Sequence, residues 1–136
     1  MGHITNEMVQ ASYMIGKKVY HGELIQDEGQ DILNSQYGMD IGSAKAYVHN
    51  YKCLINGEQY KRTMNEYATK YYLIKILLDD GDEIFSNALT SLRKHLEYQE
   101  DIGKNALLGI RDIYNIFFNI RNNNYSSFVE KAMELF

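Results

Sequence analysis

Apolar residues recur at three- and four-residue spacing along most of the chain, and no stretch reads as a strand. The spacing predicts seven helices. The first covers about Asn6 to Val19, capped by Thr5, with Met8, Ala11, Ile15 and Val19 near one face and Gly22 closing it. The second covers about Asp27 to Tyr37, carries Ile32 and Leu33, and stops at Gly38, a residue suited to a left-handed terminus. The third begins after Ser43, read as its N-cap. It places Ala44, Tyr47, Val48, Tyr51, Leu54 and Ile55 at helical spacing and ends at Asn56-Gly57. The fourth opens on a capping-box pattern, Thr63-Met64-Asn65-Glu66, and runs through Tyr67, Tyr71, Ile74 and Leu78. Its apolar residues also include Tyr72, Leu73, Ile76 and Leu77, so they wrap most of the way round, as in a helix at the centre of a bundle.

Asp80-Gly81-Asp82-Glu83 opens the fifth helix, with its acids placed to favour the N-terminal dipole. Ile84, Ala88, Leu92 and Leu96 form its seam. A sixth covers about Asn105 to Ile120, and the polar run Arg121 to Tyr125 reads as a loop. Ser127 and Glu130 give a second capping box for a short last helix to Leu135. The fold class predicted is all-α, a compact bundle of about six to seven helices.

Composition supports a folded domain. The chain has 136 residues, 45% hydrophobic and 24% charged, which excludes a disordered tail or a linker-like polymer. It reads as a single helical domain spanning 1–136, with residues 1–3 resembling a cloning remnant. Proline is absent, so no helix is forced to kink. The single cysteine, Cys53, excludes an intrachain disulfide and a thiolate zinc cage, and it fits a reducing cytosol. The longest apolar stretch, Tyr71 to Leu78, is broken by Lys75 and falls far short of the roughly 20 residues of a membrane span. A cytoplasmic protein without a membrane partner is expected.

Charge changes the picture. The formal net charge of −4 argues against a polycation that coats DNA or acidic membranes. Its distribution is uneven, however. Residues 1–42 hold two lysines against six acids, residues 43–75 hold six basic residues against Glu58 and Glu66, and residues 76–136 hold six basic residues against ten acids. The middle third is therefore a +4 island in an acidic chain. Within it Lys45, His49, Lys52 and Asn56 lie at i, i+4, i+7 and i+11, one stripe of the third helix away from Tyr47, Val48 and Tyr51.

That stripe starts at a helix N-terminus, where free N–H groups and the Ser43 hydroxyl are suited to a phosphate. The following loop adds Tyr60, Lys61 and Arg62, and Thr63 marks a second helix start. Cations interleaved with amides and rings are what a protein needs to neutralise phosphates and touch bases. The same pattern also describes a solvated helix face with its usual lysines.

Other chemistry is sparse. His49 and Cys53 stand at i, i+4, but a zinc site needs three or four ligands and no partner Cys–His pair exists. The pair reads as a polar histidine beside a small buried thiol. His21 is isolated, and His95, near a helix C-terminus, reads as a dipole partner. Asp79, Asp80, Asp82 and Glu83 lack the ligand spacing of an EF-hand loop and read as capping residues. No Gly-rich phosphate loop, nucleophile elbow or carboxylate pair is placed, so no cofactor, metal or catalytic residue is assigned.

The run Gly38-Met39-Asp40-Ile41-Gly42-Ser43-Ala44 is followed by Tyr47-Val48, Gly57, Tyr60, Arg62-Thr63, Ala68-Thr69, Tyr71-Tyr72-Leu73 and Ile76. Together these resemble the helical module found ahead of HNH nuclease domains in McrA-like restriction endonucleases. Tyr13, Lys18-Val19-Tyr20, Gly22 and the stretch from Ala88-Leu89 to His95 also fit, so the resemblance covers about residues 4–100. No histidine follows His95 and no zinc-knuckle cysteines occur, so no HNH domain follows. Asp40 stands where the pattern has Asn, and an acid there repels a phosphate.

The resemblance implies a targeting module without the cutting domain, either a fragment or a stand-alone protein, and not an enzyme itself. Its expected partner is double-stranded DNA, with a modified base as one target and an HNH nuclease domain in a longer chain or a separate protein. The expected DNA contacts are Ser43 and Thr63 at helix starts, Lys45, Lys52, Lys61, Arg62 and Lys70 for phosphates, and His49, Asn56 and Tyr60 for bases. The alternative is a helical protein-interaction module, docking through its acidic ends or its tyrosine-rich helices, with no nucleic-acid binding.

Overall fold

The computed structural model describes residues 3–102 and 107–123. They form six helices, with no strand among the described residues: α1 (Asn6–Tyr20), α2 (Gln26–Tyr37), α3 (Ile41–Asn56), α4 (Glu66–Asp80), α5 (Asp82–Asp101) and α6 (Leu108–Asn123). The all-α class is as predicted. The predicted short helix from Ser127 lies outside the described residues. The chain divides into two units, Met1–Lys52 and Cys53–Phe136, and the division falls inside α3.

In the first unit, α1 begins where Thr5 predicts: its Oγ1 accepts from the Met8 N–H at 3.1 Å. Glu7 in the first turn and Lys17 and Lys18 in the last complement the helix dipole. Val9, Ala11, Tyr13 and Ile15 are buried, and α1 packs on α2. Two glycines set how closely the helices approach. A Cβ on Gly29 of α2 would lie 2.8 Å from Ile15 Cγ2, and one on Gly16 of α1 would lie 2.8 Å from Tyr51 Cβ. The bare Gly16 backbone thus seats Tyr51 of α3, whose ring takes Tyr13 edge-on at 5.3 Å. Gly38 (φ 74°) ends α2 in the left-handed region as predicted, and the Met39 N–H reaches back to the Leu33 carbonyl at 3.1 Å.

The start of α3 corrects the expectation for Ser43. The helix begins at Ile41, and the N-cap role falls to Asp40, whose Oδ2 accepts from the Ser43 N–H at 3.0 Å. Aspartate is as good an N-cap as serine and carries a charge the helix dipole favours. Ser43 itself is only 5% exposed.

In the second unit, α4 opens two residues later than the capping-box reading. Asn65 is its N-cap, with Oδ1 accepting from the Ala68 N–H at 2.7 Å. Ala68, Thr69, Tyr72, Leu73, Ile74, Ile76 and Leu77 are all buried, because α4 packs against both α5 and α6 and these also pack on each other. Phe85 of α5 meets Phe117 of α6 edge-on at 6.3 Å. The predicted loop from Arg121 is helical up to Asn123. Arg121 anchors this last turn to the start of α5, with Nε donating to Asp82 Oδ1 at 2.7 Å and Nη2 to Oδ2 at 3.0 Å.

Candidate nucleic-acid interface

Five side chains of α5 form a ladder that holds the segment leading from α3 to α4. Asn87 Nδ2 donates to the Ile55 carbonyl (3.1 Å), Ser91 Oγ to Glu58 (2.5 Å) and Lys94 Nζ to Gly57 (2.8 Å). His95 Nδ1 meets the Tyr60 carbonyl at 2.7 Å, and Gln99 Nε2 donates to Lys61 at 3.1 Å. Positions 87, 91, 94–95 and 99 share one face of a helix. Each supplies a donor to a carbonyl that regular structure leaves unpaired.

The ladder determines what Tyr60 and Thr63 can do. Tyr60 is 1% exposed, with its ring stacked on the His95 imidazole at 4.3 Å and 7°. Tyr60 is therefore not the exposed loop ring expected from sequence: the loop is strapped down and the ring faces the core. Because a carbonyl only accepts, His95 Nδ1 carries the proton toward Tyr60, and Nε2 accepts from the Thr63 hydroxyl at 2.7 Å. Thr63 is thus occupied by His95, three residues before α4 begins, and is not a phosphate ligand at a helix start. At Ser43 the backbone N–H that a phosphate at the helix start would need already meets the Asp40 carboxylate at 3.0 Å.

His95 also departs from its expected role as a dipole partner. It is fully buried, and α5 continues past it to Asp101. Burial pushes its imidazole below the ordinary histidine range, while the Tyr60 carbonyl pulls the other way. In α4, the Tyr71 phenol is raised by burial, then by Tyr67 and Asp79.

The cations of α3 reach solvent. On α3 the exposed positions are Ile41, Gly42, Lys45, His49, Lys52 and Asn56, so the predicted stripe is the outward face of the helix. No acid occurs anywhere in α3. By helical rise, the span from Lys45 to Asn56 is roughly 16 Å. The tyrosines opposite, Tyr47 and Tyr51, are buried, as is Cys53, about one turn after the exposed His49. Among the described residues no group of three or more His, Cys, Asp or Glu is placed to hold a metal.

In the second unit Lys61 and Arg62 are exposed, with the Lys61 ammonium 5.8 Å from the centre of the Tyr98 ring. Lys70 on α4 is half-buried. Lys75 pairs with Asp79 at 3.9 Å, which draws one cation out of the basic island.

A cleft of about 370 Å³ opens beside the α3 stripe within the first unit. Gly16, Val19 and Tyr20 of α1, Gln26 of α2, and Val48, His49 and Lys52 of α3 line it. Tyr20 and Gln26 were not among the residues expected from sequence, since the cleft is assembled from three helices. The α5 ladder had a signal that periodicity carries: Asn87, Ser91, Lys94, His95 and Gln99 repeat at helical spacing, as a polar stripe beside the Leu seam.

No protein-family model, curated protein or solved structure matches this chain. No described helix is long and apolar enough to cross a membrane.

Proposed function

We propose that this chain is a DNA-binding specificity module that engages duplex DNA through the outward face of α3. The observation that carries this reading is that face itself: Lys45, His49, Lys52 and Asn56 are all exposed, along a helix without an acid. A single helix with cations and amides along one side meets the dimensions and chemistry of the major groove. Lys45 and Lys52 neutralise phosphates, and His49 and Asn56 reach for base edges. Lys61 and Arg62 form a second exposed cationic locus in the other unit, and Ser43, Tyr60 and Thr63 drop out of the DNA-facing set.

The resemblance to the module ahead of HNH nuclease domains adds the restriction context. On this reading the chain targets and does not cut, its partner is an HNH nuclease domain in a longer chain or a separate protein, and a modified base is a candidate target.

The test is fluorescence anisotropy on a generic duplex across a salt series. Affinity should fall steeply with salt, and K45E/K52E should lower it at least tenfold while flattening the salt slope by about 0.9 for each phosphate no longer neutralised. Both lysines are exposed, so the melting curve should be unchanged. The K61E/R62E pair measures the second locus separately. Unchanged affinity in K45E/K52E removes the α3 face from the reading.

The protein-interaction alternative draws on a different observation. On α6 Leu108 is 69% exposed, and Ile116 and Phe118 also face outward. The tyrosines Tyr13, Tyr47, Tyr51 and Tyr72 offer no such surface, being buried. A stable oligomer by light scattering, with no salt-sensitive DNA complex, would favour this alternative.

A further inference from the structure

We infer that the cleft of the first unit receives a single unstacked nucleotide, its base between the walls and its phosphate at the rim. This rests on the duplex-binding reading and extends it. His49 and Lys52 belong both to the exposed α3 stripe and to the cleft lining, so a strand held on the stripe lies at the cleft mouth. The volume, about 370 Å³, falls in the range of sites that enclose small molecules, roughly 300–1,000 Å³.

Its chemistry is divided as a nucleotide is divided. Val19 and Val48 offer aliphatic walls, and the Tyr20 ring offers an aromatic one suited to a base. Tyr20 is braced by Tyr51, whose ring lies at 6.0 Å and 73°. Gln26 is held in a fixed orientation, because its Nε2 donates to Gln30 Oε1 at 3.0 Å and to the Lys45 carbonyl at 3.5 Å. With the donors so used, its Oε1 is presented as an acceptor, which suits the exocyclic amino group of cytosine, adenine or guanine. The Lys52 ammonium and the His49 ring supply the only titratable groups of the lining besides the Tyr20 phenol, and no carboxylate of the lining opposes a phosphate.

A base that leaves its stack costs least when it is mispaired. The test therefore compares a paired duplex with the same duplex carrying one central C·A mismatch, using the full chain. The mismatched duplex should bind about tenfold more tightly. A 2-aminopurine at the mismatch should change in fluorescence on binding, and Y20A should bring the affinity ratio close to one.

Deoxycytidine monophosphate titrated into isotope-labelled protein gives a second readout that needs no duplex. It should shift the backbone amide signals of Tyr20, Gln26, His49 and Lys52. Paired-duplex binding with no mismatch preference and no nucleotide-induced shifts would overturn the cleft assignment and leave the α3 reading standing. Shifts at the cleft without any duplex binding would support the cleft and sink the duplex reading. Neither response would overturn both.

Discussion

Replacing His95 by phenylalanine tests the α5 ladder at its centre. The ring is retained, so the stack on Tyr60 at 4.3 Å survives, while both hydrogen bonds of the imidazole are lost. The Tyr60 carbonyl loses the imidazole N–H in a buried setting, which costs about 1–3 kcal/mol. The half-buried Thr63 hydroxyl loses its partner where water has partial access, adding about 1 kcal/mol. The expected loss is thus about 2–4 kcal/mol, a large share of the roughly 5–15 kcal/mol that stabilises an ordinary domain. In a urea titration followed by circular dichroism at pH 7.5, the midpoint should fall by about 1–2 M for an m-value near 2 kcal/mol/M. His95→Ala should lose at least about 2 kcal/mol more, because it also empties the space under Tyr60.

The same histidine should give the protein a pH dependence of known sign. Burial lowers the folded imidazole, so the fold prefers the neutral ring. The unfolded chain takes up that proton near pH 6.5 and the folded protein only below it. The contribution is complete above about pH 6.5 and is lost as the pH falls through the folded value. The H95F variant should lack this component. A loss under about 0.5 kcal/mol in H95F, or parallel pH–stability curves for the two proteins, would refute the assignment of His95 as the neutral clamp of the loop.

Other substitutions probe separate joints. Gly16→Ala should destabilise the first unit by about 1–3 kcal/mol, since the new Cβ would crowd Tyr51 Cβ at 2.8 Å; a neutral thermal melt would contradict this close approach. Asp40→Ala should cost about 1 kcal/mol through loss of the α3 cap, whereas Asp40→Asn should retain most of it. In DNA-binding assays D40N should leave the α3 start still capped, so any gain in affinity would measure the acid's repulsion alone. Arg121→Ala should cost only about 0.5–1 kcal/mol, because its bidentate pair with Asp82 is partly solvated; the loss should shrink in 1 M salt.

Local pattern alone determined a good deal about this chain. Thr5 and Gly38 delimit α1 and α2 as the sequence predicts, because capping and left-handed stops act within a few residues. The wrapped apolar surface of α4 announced a buried helix for the same reason: its periodicity is a property of one segment. The exposed stripe Lys45, His49, Lys52 and Asn56 was legible too, since 3.6-residue periodicity alone sets it opposite Tyr47 and Tyr51.

What sequence did not reveal was which polar groups another element would claim. Tyr60 and Thr63 read as available loop and cap residues, yet His95, more than thirty positions later, takes the Tyr60 carbonyl, the Tyr60 ring and the Thr63 hydroxyl. Ser43 lost its capping role to Asp40 by a shift of three residues, which propensity cannot separate because both are good caps. Arg121 read as loop, yet it lies in the last turn of α6 and pairs with Asp82, a carboxylate far away in sequence. The cleft beside α3 exists only because Gly16 lets α1 close on α3 while Gln26 arrives from a third helix. Burial and pairing across distant elements are free-energy terms of the assembled fold, and no window along the chain contains them.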